Sequence, residues 1–397
     1  MNSKIILASI ALIVILAEAE IDIIAPSLPG LMRHYQASAF EAELALSLNL
    51  IAHAIAGLWV GTLADRFGRK NILLLGIVTF IFGSALSVFA YNIPVLLLGR
   101  ILQGAGMSAP TVIGILIAIE GVSKAKQESR MAMLNSIANI SLAFTPAVGS
   151  MIAVFFGWHA NFQFLLIFGA VALLVAVYGV PKNLIRNELD NDEPAIGSYW
   201  ALVSDPKIRM AIFSTTLLPA GWFTFVGVAS IVYVEHFGVS VGEYGSHQGS
   251  IALSYGISTL IIYKIAKTFS SSLLVVSSAA SVLFAILGLM LGFWSGLYSP
   301  LYVTAMILFG SIGSVVLVNK TQLAAINLNP RVAGKVSALI SFCRWTLAAI
   351  FIQVSGALFY ASPTLAFLLI SVLWMAGLLV LFLAISQDHQ YKELILK

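Results

Sequence analysis

Apolar residues gather in twelve long stretches along this 397-residue chain, set apart by short polar segments. About 20 mainly apolar residues, rising ~1.5 Å each as a helix, cross the hydrocarbon of a bilayer. Stretches of that kind lie near 5–27, 42–64, 71–91, 94–119, 131–156, 161–181, 208–234, 247–265, 272–294, 299–320, 336–358 and 364–386. The eighth has the most polar beginning, with Ser246, His247, Gln248 and Ser250 around its start. The first begins with Lys4 and the apolar run Ile5 to Leu16 before Ala17-Glu18-Ala19, the outline of a cleavable secretory signal. Apolar character resumes at Ile21, Ile23 and Ile24, and cleavage would spoil the match between halves, so the segment reads as a first helix. The pattern predicts an all-α membrane protein of twelve transmembrane helices.

The loops support the same count, because Lys and Arg concentrate in short cytoplasmic loops. With both termini cytoplasmic, 18 of the 21 basic residues fall on that side, in clusters such as Arg66, Arg69 and Lys70 or Lys124, Lys126 and Arg130. Arg33 lies outside, and Arg100 and Arg344 lie within spans. An error of one span would invert every later loop. The longest polar stretch, Lys182 to Lys207, separates six spans from six. It predicts two six-helix bundles, residues 1–181 and 208–397, joined by a solvated cytoplasmic linker over 182–207. A shift of 198 residues sets Arg66 on Lys264 and Arg69 on Lys267, each after the second span of a half. That echo points to internal duplication, which in transporters places the substrate between the repeats near the midplane.

Composition narrows the class further. The chain is 60% hydrophobic and 10% charged, with mean hydropathy +0.98. A soluble domain needs roughly a quarter of its residues charged, so this surface faces lipid. The net charge of +4 is then a matter of topology and not of nucleic-acid binding. Cys343 is the single cysteine and forbids an internal disulfide. No zinc-type His/Cys cluster, phosphate-binding Gly-Lys loop or nucleophile elbow occurs, which argues against an enzyme, a metal site and self-sufficient ATP drive. His236 and His247 fall in one expected external loop and look incidental.

After the second span the chain reads Gly61-Thr62-Leu63-Ala64-Asp65-Arg66-Phe67-Gly68-Arg69-Lys70. This resembles the signature loop of the major facilitator superfamily, with every principal position filled. Glycines at 61 and 68 would permit close helix approach and a tight turn. Asp65 would pair with a base or a helix N-terminus across the cytoplasmic rim, a contact made in one access state and broken in the other. Arg66, Arg69 and Lys70 also serve as topogenic charge, but the Gly-Asp-Gly spacing calls for the latch. In the fourth span Arg100-Ile101-Leu102-Gln103-Gly104 resembles the family's R-x-x-x-G pattern. A guanidinium inside a membrane costs roughly 2.5 kcal/mol or more unless a cavity or partner receives it. Arg100 is always charged, so it suits the modulation of a carboxylate and not proton transfer; capping of backbone carbonyls is the structural alternative. In the fifth span Pro146-Ala147-Val148-Gly149 resembles the kinking motif of drug/proton antiporters, although Thr145 stands where that motif has glycine.

The first span holds most of the chemistry. Glu18, Glu20 and Asp22 lie among Ile, Leu, Val and Ala, with 18 and 22 on one face and 20 nearly opposite. A carboxyl held in low dielectric favours its neutral form, so one of the three is suited to carry a proton. The alternative for the outermost, Asp22, is a place in the headgroups. Asp22 leads into Ile23-Ile24-Ala25-Pro26-Ser27-Leu28-Pro29, which resembles the end of the first helix in the bicyclomycin- and chloramphenicol-resistance (Bcr/CflA) branch of the drug/proton antiporters. Pro330 to Ala338 resembles that branch's entry to the eleventh helix. The resemblance implies that Asp22 is the proton or substrate carboxylate and Arg100 its modulator, while Glu18 and Glu20 leave the choice of carrier open.

In the carboxyl half, Arg344 in the eleventh span would read substrate charge, with Arg100 as its counterpart in the other half, or bind a carbonyl near the cytoplasmic mouth. Trp222 and Phe225 in the seventh span would line an apolar pocket, and Gln103 would contribute polarity. These readings predict a proton-coupled efflux antiporter for drug-like or small organic molecules in the bacterial inner membrane. It would work as a monomer, with a small-molecule substrate and lipid as partners and the proton in place of any cofactor. The competing expectation is an importer or exporter of a defined metabolite such as a siderophore or organic anion; a channel fits the duplicated halves less well.

Overall fold

The structure is a computed structural model that describes residues 3–119, 122, 124–181, 195–265, 269–329 and 332–396. The chain folds into two compact units, Met1–Asp192 and Glu193–Lys397. Among the described residues each is wholly helical.

The first unit contains α1 (Ser3–Asp22), α2 (Leu28–Tyr35), α3 (Ala39–Phe67), α4 (Arg69–Val88), α5 (Ile93–Ile119), α6 (Lys124–Phe156) and α7 (His159–Gly179). All but the short α2 are spans. The first span ends at Asp22, not at the expected 27, and a 3-10 turn over Ala25–Ser27 leads into α2. Pro26 and Pro29 explain the break, since each removes a backbone donor and pushes the preceding residue away from helix. Residues Ile21 to Pro29 are all buried, so this irregular backbone is enclosed by protein, as a bilayer demands.

Within this unit α5 packs on α3 and α4, α4 on α7, and α1 on α5, α6 and α7. Glycine sets the closest approach: a Cβ at Gly104 would collide with the Asn49 carbonyl, so α5 presses directly on the backbone of α3.

The second unit contains α8 (Ala195–Ser204), α9 (Pro206–Ile231), α10 (Val241–Ile265), α11 (Ser271–Ser295), α12 (Pro300–Asn327), α13 (Ala333–Ala361), α14 (Leu365–Gln387) and α15 (His389–Leu396). Six of these, α9 to α14, are spans. The linker differs from the expectation: 182–194 lies outside the described residues, and Ala195–Ser204 is a helix packed on α9 and α13. α10 begins at Val241, six residues before the expected 247, because Ser240 and Glu243 cap it reciprocally. Its polar opening turns are therefore helix and not loop.

The same capping box opens α3 from Ser38 and Glu41. Ser38 to Ser240 and Glu41 to Glu243 are both offsets of 202 residues, against 198 at the basic loops that follow. A difference of four residues is about one helical turn, so the two halves repeat one design with a turn of slippage in the second span.

Nine helices among the described residues are long and apolar enough to cross a membrane by length and composition. The three other spans are α1, with four charged residues, α6, whose apolar part is Phe144–Phe156, and α10, with its polar start.

Candidate functional site

Arg100 is fully buried on α5, and the chain surrounds it with acceptors. Its Nε donates to the Ala45 carbonyl at 2.7 Å, and its Nη1 to Gln103 Oε1 at 2.6 Å and Glu20 Oε2 at 3.2 Å. Asn49 Nδ2 donates to the same Glu20 oxygen and to the Arg100 carbonyl, both at 3.1 Å. Gln103 Nε2 donates onward to Ser84 Oγ at 2.8 Å. One network thus joins α1, α3, α4 and α5, and Glu20, Asn49, Ser84, Arg100 and Gln103 are all inaccessible to solvent. A desolvated ion pair of this kind needs extra hydrogen bonds, which Ala45, Gln103 and Asn49 supply, while Glu20 Oε1 and Arg100 Nη2 are buried without a hydrogen-bond partner among the described residues.

Two expectations change here. The resemblance implied that Arg100 modulates Asp22, but its ionic partner is Glu20, the acid on the opposite face of α1. Gln103, expected at the substrate, has its amide oxygen and nitrogen both engaged in bracing Arg100. Asp22 is buried at the end of α1, and its Oδ1 has no hydrogen-bond partner among the described residues. Its side chain is enclosed by protein. Glu18 is half-buried one turn earlier.

Pro146 and Gly149 sit in an unbroken α6. A Cβ at Gly149 would strike the Ile23 carbonyl, so the glycine admits the chain just beyond Asp22. Asn161 Nδ2 ties this joint together, donating to Ser27 Oγ at 2.7 Å and the Gly149 carbonyl at 3.0 Å. A recess of about 360 Å³ opens beside it, with Ile15, Ile23, Ile140, Phe144, Val148 and Phe164 among its walls.

At the basic loop, Gly68 takes φ +89 at the tight turn expected between α3 and α4, a backbone that favours glycine. Gly61 has open space beside it, so the expected close approach is not made there. Asp65 and Arg66 are exposed, and the Arg66 guanidinium lies 5.3 Å from the Phe67 ring centroid. Arg69 is half-buried. Lys70, read from sequence as topogenic charge, donates to the carbonyls of Val177, at 2.7 Å, and Val180. It caps the last turn of α7, where a cation suits the helix dipole.

In the second unit Trp222 stacks on Tyr255 with centroids 6.0 Å apart and lies 6.2 Å from Phe225. Phe225 is buried in turn against Tyr233. Arg344 Nη2 donates to Gln322 Oε1 at 2.7 Å. The expected Trp222 and Phe225 therefore belong to one aromatic cluster with Tyr255 and Tyr233. His247 is not a loop residue: it lies in α10, its Nδ1 2.9 Å from Thr304 Oγ1, which in turn meets the Tyr233 hydroxyl at 2.7 Å.

Sequence reasoning passed over Glu43, Asn49 and His53, three buried polar residues on α3. Asn49 and His53, four apart in an apolar segment, were a visible helical pair. Glu43 was masked by the capping Glu41 two residues before it.

Two units of long apolar helices, the first built around a buried charged network, define a polytopic membrane transport protein. The Major Facilitator Superfamily profile matches residues 10–353, and the chain belongs to that family, whose members are transporters. It is 28% identical over 261 residues to "Multidrug resistance protein MdtL" of Escherichia coli O81 (strain ED1a), and equally to that of Shigella boydii serotype 18 (strain CDC 3083-94 / BS512). Each alignment takes in 66% of this chain and 65% of the relative. Among solved structures, "Crystal structure of D-xylose-proton symporter" matches with TM-score 0.74 and 14% identity over 96% of this chain and 97% of that one. "Inward open conformation of the xylose transporter XylE from E. coli" gives 0.73 and 14% over 96% and 95%. These likenesses fix the fold: twelve transmembrane helices in two six-helix bundles.

Proposed function

We propose that this transporter is a proton-coupled efflux antiporter for drug-like or small organic molecules, resembling the Bcr/CflA branch and working by alternating access in the bacterial inner membrane, with both termini cytoplasmic. The observation that carries the reading is the burial of Glu20, Asp22 and Arg100 in the bundle. Ionisable groups in a bilayer are costly and mark ion or proton paths. The proton is then the coupling ion, and no other cofactor is called for. The multidrug relatives support export, and the apolar recess beside α1 suits an amphipathic cargo.

A second reading, transport of a defined organic anion or siderophore, draws on Arg344 with Gln322 beside the Trp222 and Tyr255 rings. The test is transport in proteoliposomes with an imposed pH gradient, with chloramphenicol and bicyclomycin as the first probes. Gradient-driven flux that is lost in Arg100→Ala and in the acid-to-amide variants of α1 is expected. Intact flux after Glu18→Gln, Glu20→Gln and Asp22→Asn in turn would sink proton coupling. Flux of small organic anions alone, sensitive to Arg344→Ala, would favour the second reading.

A further inference from the structure

We propose that Gln248 of α10 binds the cargo: its amide hydrogen-bonds an uncharged molecule whose ring lies along the aromatic seam between α9 and α10. The assignment rests on the efflux reading above and adds the residue that selects the cargo within the second unit.

Gln248 is 1% exposed, and neither its amide oxygen nor its amide nitrogen has a hydrogen-bond partner among the described residues. A primary amide offers two N–H donors and an acceptor, and burying them without partners is costly. An apolar side chain of the same size would fill the place without that cost, which points to a partner that comes and goes. The neighbouring polar side chains are satisfied. His247 Nδ1 lies 2.9 Å from Thr304 Oγ1, and Ser250 Oγ donates to the His247 carbonyl at 2.7 Å. On α9, Ser230 repeats the condition of Gln248, with a fully buried hydroxyl and no partner among the described residues.

Two ring contacts fix the register in which α9 and α10 face each other. Trp222 stacks on Tyr255 at 6.0 Å, and Tyr233 meets Tyr244 edge-on at 5.9 Å. Each contact lies eleven residues from the other on both chains, about three turns, and the two run antiparallel. Gln248 follows Tyr244 by four residues and precedes Tyr255 by seven, so all three share one helical face. The amide therefore stands between the two contacts, at the level of Ala229 and Ser230. Phe225, 6.2 Å from Trp222 and 6.4 Å from Tyr233, completes a continuous wall of rings beside it. At the end where α10 begins, the Tyr233 ring is 5.3 Å from that of His247, which borders a cavity of about 340 Å³ with Glu243 and Ser299. The seam thus leads from that cavity past Gln248 to the half-buried Tyr255. α9 has no Asp, Glu, Lys or Arg from Met210 to Ile231, and α10 none from Tyr244 to Tyr263. An ionic cargo would find no counter-charge on either helix, whereas a neutral ring with an amide or hydroxyl finds both of its partners.

The test uses chloramphenicol, an uncharged nitrophenyl ring joined to an amide and hydroxyls, on the full-length protein. Equilibrium dialysis of the radiolabelled probe against protein in lipid nanodiscs gives affinity, and proteoliposomes give pH-driven flux. Gln248→Leu should weaken binding by about tenfold or more, equivalent to about 1.4 kcal/mol, and slow flux at low probe concentration. Its melting temperature should equal or exceed that of the wild type, because an unsatisfied amide is gone. Gln248→Met, nearer in length, should do the same, so the outcome does not depend on the folding of one variant. Nitrobenzene, the ring without the amide, should compete equally well in the wild type and Gln248→Leu, and less well in Tyr255→Leu. Wild-type affinity in both Gln248 variants, or equal losses for chloramphenicol and nitrobenzene, overturns the assignment and leaves efflux standing. A wild type that binds bicyclomycin, an amide without an aromatic ring, but not chloramphenicol does the same. A wild type that neither binds nor carries either compound overturns both.

Discussion

The Glu20–Arg100 pair permits a sharp test of what holds the first bundle together. Both side chains are fully buried with 3.2 Å between Arg100 Nη1 and Glu20 Oε2, and both are substituted, singly and together, by glutamine. An ordinary interhelical hydrogen bond in a membrane contributes about 0.6 kcal/mol on average and ~1.7 at most. Removing one partner of a buried ion pair costs about 3–5 kcal/mol, because the other charge stays desolvated. For a half of this size a loss of that order lowers the melting temperature by roughly 10 °C, at 2–4 °C per kcal/mol. Removing both partners costs far less, since no lone charge remains. The expected order in detergent melting is therefore wild type, then the double variant, then either single variant. Single-variant losses under about 1 kcal/mol, or effects that add to within ~0.5 kcal/mol, would refute the view that charge burial dominates this network.

Three further outcomes follow from other contacts. Gly149→Val should drive a side chain into the Ile23 carbonyl, at about 1–3 kcal/mol, and abolish flux; wild-type melting and flux would remove Gly149 from the joint. Lys70→Met should lose the cap on Val177 and Val180, lowering the melting temperature by about 5 °C with partial recovery in Lys70→Arg, whereas equal losses in both would show that the cap is not what matters. The hydrogen bond from Lys207 holds the Asp388 carboxylate below its ordinary range, so this tie between α9 and the start of α15 is fully present above about pH 4 and fails only as pH falls through the lowered value. Protease cleavage within α15 should then be the same at about pH 7 and about pH 5; release at the milder acidity would contradict the assignment.

The twelve spans were legible because apolar length and basic loops are properties of sequence alone, and the capping boxes that open α3 and α10 were written in plain sight as Ser-x-x-Glu. Gly149 was legible as a point of close packing, though not that the Ile23 carbonyl is what it meets. What sequence could not show is which face of α1 meets which neighbour. Helical spacing grouped Glu18 with Asp22 and set Glu20 apart, and the lone acid was the one that faces α3 and α5. Pro26 and Pro29 end the helix at Asp22, so its place at a helix terminus was hidden behind an apolar run that continues to Leu28. Asn49 carries no motif; its importance comes from lying where Gly104 brings two backbones together. Lys70 looked like one more loop charge because the carbonyls it caps are more than a hundred residues away.

The halves repeat one fold but have parted in chemistry. At the offset of 202 residues fixed by the capping boxes, Trp222 stands at the place of Glu20, and Tyr255 at that of His53. From Tyr244 to Gln387 the chain has no Asp or Glu at all, whereas the spans of the first half hold Glu18, Glu20, Asp22 and Glu43. Where α1 and α3 meet through carboxylate and amide, α9 and α10 meet through the stacked rings of Trp222 and Tyr255. On the proton-coupled reading proposed above, this division confines the ionisable chemistry to the first unit and leaves the second an aromatic one. On that reading substitutions among the rings of the second half change which molecules are carried, whereas substitutions among the buried acids of the first change the coupling.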